Sequence, residues 1–261
     1  MKFTVLGATG VIGRHVIKFL RARGEDVFAP DREDSSIFSR PLGNIIYAIG
    51  VTADFRTRPI DTVQSHVCML ADILQRADFE SLVYLSSTRV YMGAATSSED
   101  NTFYVSPQDP SDLYNLSKLM GESLCLFCGR KGVKIARLSN VVGGEDHDSD
   151  NFLPSLIREA RKGKIVLHTD LSSAKDYIHI DDVAFLLYQI ACTGQRSIYN
   201  VASGRQVAHA EWVSRLESLT GCSFEIETGA PVIQFIPINV ERISKEFCFQ
   251  PQSVFDTLLS M

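Results

Sequence analysis

The sequence is short of several things, and each shortage argues against a class of protein. No apolar run is long enough to cross a bilayer, so no membrane role is expected. Basic residues are in deficit: the net charge is −5, which gives no electrostatic reason to expect a nucleic-acid partner. The N-terminus is an apolar strand running into glycines, not a secretory leader, so a cytoplasmic location is expected, with the cysteines reduced. Cys125 and Cys128 lie three apart, but no second pair completes the four ligands of a structural zinc, so no metal is expected. Internal repeats and low-complexity segments are missing too. What remains is a chain of 261 residues, 45% hydrophobic and 22% charged, which suits one large domain or one domain with a smaller lobe.

The most informative stretch is the first. Phe3 to Leu6 is apolar and rich in strand formers, and Gly7, Gly10 and Gly13 follow as G-x-x-G-x-x-G. Val11, Ile12, Val16, Ile17 and Leu20 then recur at helical spacing. Strand, glycine turn and helix together are the context of a dinucleotide-binding loop. Gly7 permits the turn, Gly10 lets a pyrophosphate approach the backbone, and Gly13 lets helix and strand pack closely. The N–H groups around Thr9, Gly10, Val11, Ile12 and Gly13 face the anion at a helix N-terminus. Asp31, at the end of a second strand read over 26–31, is placed to accept the adenosine ribose hydroxyls. It would repel a 2′-phosphate, which favours NAD over NADP, although the neighbouring Arg32 would attract one.

Thirteen residues, Asp31 to Gly43, separate that strand from the next, Asn44 to Gly50. A doubly wound α/β fold normally fits a helix and a third strand there. The crossover is therefore expected to be missing or reduced to a loop, leaving the adenine side open. Asp54, Arg56 and Arg58 read as solvated loop charges, and Ile60 to Ala77 as an amphipathic helix in which His66 makes a packing or polar contact.

A strand over 81–87 ends in Ser86, Ser87 and Thr88. Further on, Tyr114 and Lys118 stand at i and i+4, on one helix face. A free tyrosine, with a pKa of about 10, is a poor base at neutral pH. A nearby lysine and an oxidised nicotinamide would favour the phenolate. Tyr114 would then take the proton of a substrate alcohol as hydride leaves its carbon, and Ser87 would hold the oxygen. Tyr-x-x-x-Lys is common by chance; it gains meaning after a glycine loop and a Ser-Ser strand end.

In that order these motifs resemble the extended short-chain dehydrogenase/reductases, in particular the NAD-dependent nucleotide-sugar epimerase and dehydratase family. Later stretches fit: Ile135-Ala-Arg-Leu-Ser-Asn-Val-Val-Gly143, Lys175-Asp-Tyr-Ile-His-Ile-Asp-Asp-Val-Ala184 and Ile198-Tyr-Asn-Val-Ala-Ser-Gly204. The resemblance implies a Rossmann fold, a doubly wound parallel sheet, with a small discontinuous C-terminal substrate lobe. The dinucleotide-binding domain would take residues 1–143 and about 176–203, and the substrate lobe about 144–175 and 204–261. The resemblance implies Ser87, Tyr114 and Lys118 as catalytic residues. It puts Tyr114 and Lys118 against the cofactor, and Ser87, Asn140 and Lys175 against the substrate. Arg137 would be structural, and Asp181 or Asp182 would cap a helix over 183–192. A homodimer through the helices 60–77 and 113–129 is also implied.

Departures from the family narrow the chemistry. Thr88-Arg89 stand where dehydratases carry an acid pair, which counts against a 4,6-dehydratase. Lys175 replaces an arginine, keeping charge but not the bidentate fork. The arginine and aspartate that often hold the nucleotide near the C-terminus are missing from 229–237. The expected activity is hydride transfer at a secondary alcohol or ketone of an activated sugar, as ketoreductase or epimerase. The alternative is a dinucleotide-binding sensor or scaffold without turnover, against which the retained Ser87, Tyr114 and Lys118 argue. Glu145 to Asp150 reads as a solvated acidic loop, and Trp212 and Leu216 as core residues.

Overall fold

The computed structural model describes residues 1–51, 54–144 and 151–260; the acidic loop expected over 145–150 lies outside them. In chain order, β1 (Lys2–Leu6), α1 (Val11–Ala22), β2 (Asp26–Phe28) and β3 (Asn44–Tyr47) lead to α2 (Pro59–Val63), a π-turn over Gln64–Cys68 and α3 (Met69–Arg76). β4 (Ser81–Ser87), α4 (Asp112–Phe127), β5 (Val133–Leu138), β6 (Asn140–Val142), α5 (Phe152–Arg161), β7 (Lys164–Leu167) and β8 (Ala174–His179) follow. The rest is α6 (Ile180–Thr193), β9 (Ile198–Val201), β10 (Gln206–Ala208), α7 (His209–Thr220), β11 (Ser223–Ile226), α8 (Glu241–Phe247) and a 3-10 turn over Val254–Ser260.

The main sheet has six strands in the order β2-β1-β3-β4-β5-β9, all parallel. Its strands alternate between two buried faces, as a strand's two-residue period requires. Phe3, Val5, Ile46, Val83, Leu85, Ala136 and Leu138 pack with α1 and α6. Leu6, Ile45, Tyr47, Leu82, Tyr84 and Ile135 pack with α3 and with Cys125 of α4. The chain leaves β1 on one side to β2 and returns on the other to β3, so the strand order reverses beside β1. Ligands of such sheets bind at the carboxyl ends of the strands where this reversal occurs.

Between β2 and β3 the described chain forms only a 3-10 turn, Ser35–Phe38, capped by the Asp34 carboxylate accepting from the Ser36 N–H (2.9 Å). Ile37 and Leu42 turn inward and join the cluster around α3. This link therefore covers part of the sheet face itself, and β2 is an edge strand.

Two smaller sheets carry the other end of the molecule. β8 pairs antiparallel with β10 and parallel with β6, and β7 pairs parallel with β11. The three-stranded sheet draws β6 and most of β8 from segments that the sequence analysis grouped with the dinucleotide-binding domain. Leu153, Leu156, Ile165, Leu167, Tyr177, Trp212 and Leu216 form its core with Val254 and Leu258.

Two local expectations are corrected. The helix expected over 60–77 is interrupted by the π-turn, a feature that periodicity alone does not reveal. α6 begins three residues earlier than expected, and its N-cap is His179, whose Nδ1 accepts from the Asp181 N–H (3.2 Å). Asp182 instead accepts from the backbone N–H and the side-chain amide of Gln252 (both 2.8 Å), tying α6 to the C-terminal segment.

Candidate active site

The carboxyl ends of β1, β3, β4 and β5 open into a cleft of about 720 Å³, a size typical of small-molecule sites. Gly10 to Gly13, Ala48 to Gly50, Leu85 to Ser87 and Leu138 to Gly144 form its sheet side, Tyr114 and Lys118 reach in from α4, and α5 and β8 close the far side.

The glycine loop fits a dinucleotide on steric grounds. Gly7 has φ +89°, and a Cβ there would stand 2.6 Å from the Ala48 carbonyl oxygen. A Cβ on Gly13 would lie 2.1 Å from the Gly7 carbonyl oxygen, so helix and turn pack backbone to backbone. Gly10, in extended conformation, is the N-cap of α1; no side chain caps this end and its first turn carries no acid. The N–H groups there are available to a pyrophosphate. Val11 and Ile12 line the cleft, whereas Thr9 is exposed and outside its lining. Asp31 and Arg32 are exposed beyond the end of β2, which stops at Phe28, and neither lines the cleft.

Ser87, Tyr114 and Lys118 converge at the cleft's inner end. Lys118 is 4% exposed and its ammonium donates to the Leu85 carbonyl (2.8 Å). Burial lowers its pKa from the usual lysine range to about 7, against the opposing charge of Glu122. Tyr114 is buried, its ring 5.3 Å from that of Phe55 and 5.4 Å from that of His66. Burial raises the Tyr114 pKa; a hydrogen bond from Ser87 and the charge of Arg89 pull it down. From the protein alone, Tyr114 is a neutral phenol at physiological pH. The groups that ease its ionisation include Arg89, which the sequence analysis weighed only as a missing dehydratase acid.

His66 is fully buried, with Nδ1 2.8 Å from the Ser117 hydroxyl and Nε2 accepting from the Val51 N–H (3.2 Å). Burial and the Lys118 charge lower its pKa to about 2, so it is neutral and serves as a packing and hydrogen-bonding group. Ser86 does not face the cleft with its hydroxyl, which donates to Glu122 (2.5 Å). Glu122 also receives Arg137 in bidentate fashion, at 3.0 and 2.7 Å. Arg137 further donates to the Tyr91 hydroxyl (2.7 Å) and the Glu99 carbonyl (3.1 Å). This buried network explains Arg137 as structural, and its acid, Glu122, has no motif around it that would have singled it out.

A smaller pocket of about 210 Å³ adjoins the cleft and shares Ser87, Tyr114, Asn140 and Lys175 with it. Arg89, Phe55 and Phe235 line only this second pocket. Asn140 is exposed, and its amide donates to the Asp176 carbonyl (2.8 Å). No cluster of His, Cys, Asp and Glu among the described residues is placed to hold a metal ion, and Cys125 and Cys128 are free thiols.

A six-stranded parallel sheet, a glycine loop at a helix N-terminus and a serine, tyrosine and lysine at one cleft define a short-chain dehydrogenase/reductase. The model of the NAD dependent epimerase/dehydratase family matches residues 37–202, more than half of the chain. The chain belongs to that family and is an NAD-dependent enzyme. It is 24% identical to a dTDP-4-dehydro-6-deoxy-D-allose reductase of Streptomyces bikiniensis, over 95% of this chain and 91% of the relative. It is 22% identical to a UDP-glucose 4-epimerase of Lactobacillus helveticus, over 88% of this chain and 84% of the relative. Among solved structures, the UDP-glucuronic acid 4-epimerase of Bacillus cereus has the same fold, with a TM-score of 0.81 and 17% identity over 99% of this chain and 97% of that one. No helix among the described residues is long and apolar enough to cross a membrane.

Proposed function

We propose that the enzyme transfers hydride at a secondary alcohol or ketone of a nucleotide-linked sugar, as a ketoreductase or an epimerase. The observation that carries this reading is the position of Ser87 and Tyr114. Both border the glycine-loop cleft and the second pocket, so a cofactor in one and a sugar in the other would meet at their hydroxyls. Reductases and epimerases of nucleotide sugars among the relatives support the substrate class.

Gly7, Gly10 and Gly13 hold the pyrophosphate at the start of α1, with Val11 and Ile12 beside it. Asp31 and Arg32 lie at the adenosine end. Bound NAD supplies the hydride acceptor, and its reduced form the donor. Ser87 fixes the substrate oxygen. Tyr114 gives its phenolic proton to that oxygen when a ketone is reduced, and takes it back when an alcohol is oxidised. Lys118 holds the inner end of the cofactor and, when charged, favours the phenolate. Asn140 and Lys175 contact the substrate beyond the reacting carbon.

The enzyme forms a homodimer through α2, α3 and α4. Leu113, Leu116, Met120, Leu124 and Phe127 recur along one side of α4, and Phe127 is 83% exposed. Ile60 on α2 is 72% exposed.

Denaturing freshly purified protein and identifying the released nucleotide tests the reading. Tightly held NAD indicates an epimerase, which returns hydride to the same substrate. A site that binds reduced cofactor reversibly indicates a ketoreductase. Failure to bind either form would overturn the reading in favour of a scaffold.

A further inference from the structure

His66 is fully buried beside the reacting groups, yet the mechanism above gives it no task. Its ring stands edge-on to that of Tyr114, with centres 5.4 Å apart. It also lies close to Lys118: a Cβ on Gly50 would stand 3.1 Å from His66 Nε2 and 3.6 Å from the Lys118 ammonium.

The partners of the ring fix its proton. The Val51 N–H can only donate, so Nε2 accepts from it (3.2 Å). The one ring proton is therefore on Nδ1, which donates to the Ser117 hydroxyl (2.8 Å). That hydroxyl donates in turn to the Tyr114 carbonyl (2.8 Å). The directions agree along the whole chain, from the Val51 N–H through ring and hydroxyl to the peptide of Tyr114. A charged ring would have no acceptor for Val51. Burial and the Lys118 charge, which lower the His66 pKa to about 2, keep the ring neutral at physiological pH.

Both ends of this chain converge on Tyr114. Val51 and Phe55 pack with the Tyr114 side chain in one small buried cluster. The other end is Tyr114's own carbonyl, in the first turn of α4, whose start no side chain caps. His66 sits in the middle of the π-turn, a feature often found at functional sites. The sheet secures that turn: the Ser65 and His66 carbonyls accept from the Tyr47 and Tyr84 hydroxyls (2.7 and 3.2 Å). α4 approaches it closely at Gly121, where a Cβ would stand 2.4 Å from the Tyr84 hydroxyl oxygen and 2.9 Å from the His66 carbonyl oxygen.

We propose that His66 is a positioning residue: its neutral ring ties the Val51 backbone to the first turn of α4 and fixes where the Tyr114 hydroxyl meets the substrate oxygen. The inference rests on the proton-exchange role given to Tyr114 above. His66 itself lines neither the cleft nor the second pocket, so it acts through Tyr114 and not on the ligands.

His66→Phe keeps a ring and removes both of its hydrogen bonds. Turnover is measured with UDP- and dTDP-linked glucose and 4-keto-6-deoxyglucose, and NAD affinity by fluorescence titration. The kcat of His66→Phe is expected to fall about 10²-fold, with KM and NAD affinity within about threefold of wild type. In a Tyr114→Phe background the same change is expected to slow the residual rate less than about twofold, because the group it positions is gone. Wild-type kcat in His66→Phe, beside a slow Tyr114→Phe, overturns the proposal alone. A loss of NAD affinity as large as the loss in kcat, or the full loss repeated in the Tyr114→Phe background, makes His66 merely structural and also overturns it. If His66→Phe does not fold, Ser117→Ala deletes one hydroxyl from the middle of the same chain: kcat about tenfold lower at unchanged KM supports the proposal, and unchanged kcat overturns it. Undiminished turnover in Tyr114→Phe, or no turnover of any of these sugars by the wild type, overturns the reading of the site itself and takes the proposal with it.

Discussion

Lys118 stands where the needs of the site and of the fold oppose each other. Its folded pKa of about 7 lies below the ordinary value of 10.5. Between those values the unfolded chain holds a proton that the folded chain has lost, so stability rises with pH across this window. Below pH 7 both states are charged and the full cost of burying the ammonium applies. Lys118→Met is therefore expected to raise Tm by several degrees at pH 6.5, with a much smaller gain at pH 9.5, and to impair turnover; parallel melts at the two pH values check it. Gly13 offers a second test at this scale. A Cβ placed 2.1 Å from the Gly7 carbonyl meets backbone, not a side chain that can yield. Gly13→Ala is expected to weaken NAD binding at least about tenfold and to lower Tm, because the turn and α1 must separate. Fluorescence titration with NAD and a melt measure both effects.

At the scale of elements, α4 is the part that matters most, because it carries both Tyr114 and Lys118. Arg137 of β5 fixes it through the bidentate pair with Glu122, and both side chains are nearly fully buried. Removing one partner leaves the other charge buried and unpaired, at a cost of about 3–5 kcal/mol. Arg137→Met should lower the chemical-denaturation midpoint accordingly, whereas Arg137→Met with Glu122→Leu should recover much of the loss. Full stability in the single variant would contradict the role given to this pair. The elements also show what the sequence makes legible. The glycine loop and the Tyr114–Lys118 spacing are local patterns, with their chemistry contained in a few consecutive residues, and the parallel sheet follows from apolar runs separated by helical periods. The Glu122 network is different. It joins residues 15, 46 and 38 positions from Arg137, and no local pattern marks such a set. Arg89 reads in the sequence only as a missing acid, because its charge acts on Tyr114, a residue far along the chain that only the fold brings near. The π-turn after α2 and the His179 cap were missed because the surrounding periodicity and the adjacent aspartates suggest ordinary solutions.

At the scale of the whole molecule, the cofactor cleft and the second pocket are joined through a few side chains, and one side of α4 carries a stripe in which Met120 and Phe127 are exposed and Leu113, Leu116 and Leu124 half-buried. If that stripe is the dimer interface, Met120→Glu combined with Phe127→Glu buries two charges in an apolar seam, and sedimentation should report a monomer where wild type is a dimer. An unchanged dimer would place the interface elsewhere. The account depends most on Tyr114 as the group that exchanges a proton with the substrate oxygen at the junction of the two pockets. The most direct measurement compares wild type and Tyr114→Phe for NAD affinity and for turnover of the nucleotide sugar that the wild-type enzyme accepts. The expected result is NAD binding within about twofold of wild type, since the phenol contributes little to holding the pyrophosphate, with turnover reduced by about 10²-fold or more. Undiminished turnover in Tyr114→Phe would contradict the mechanism.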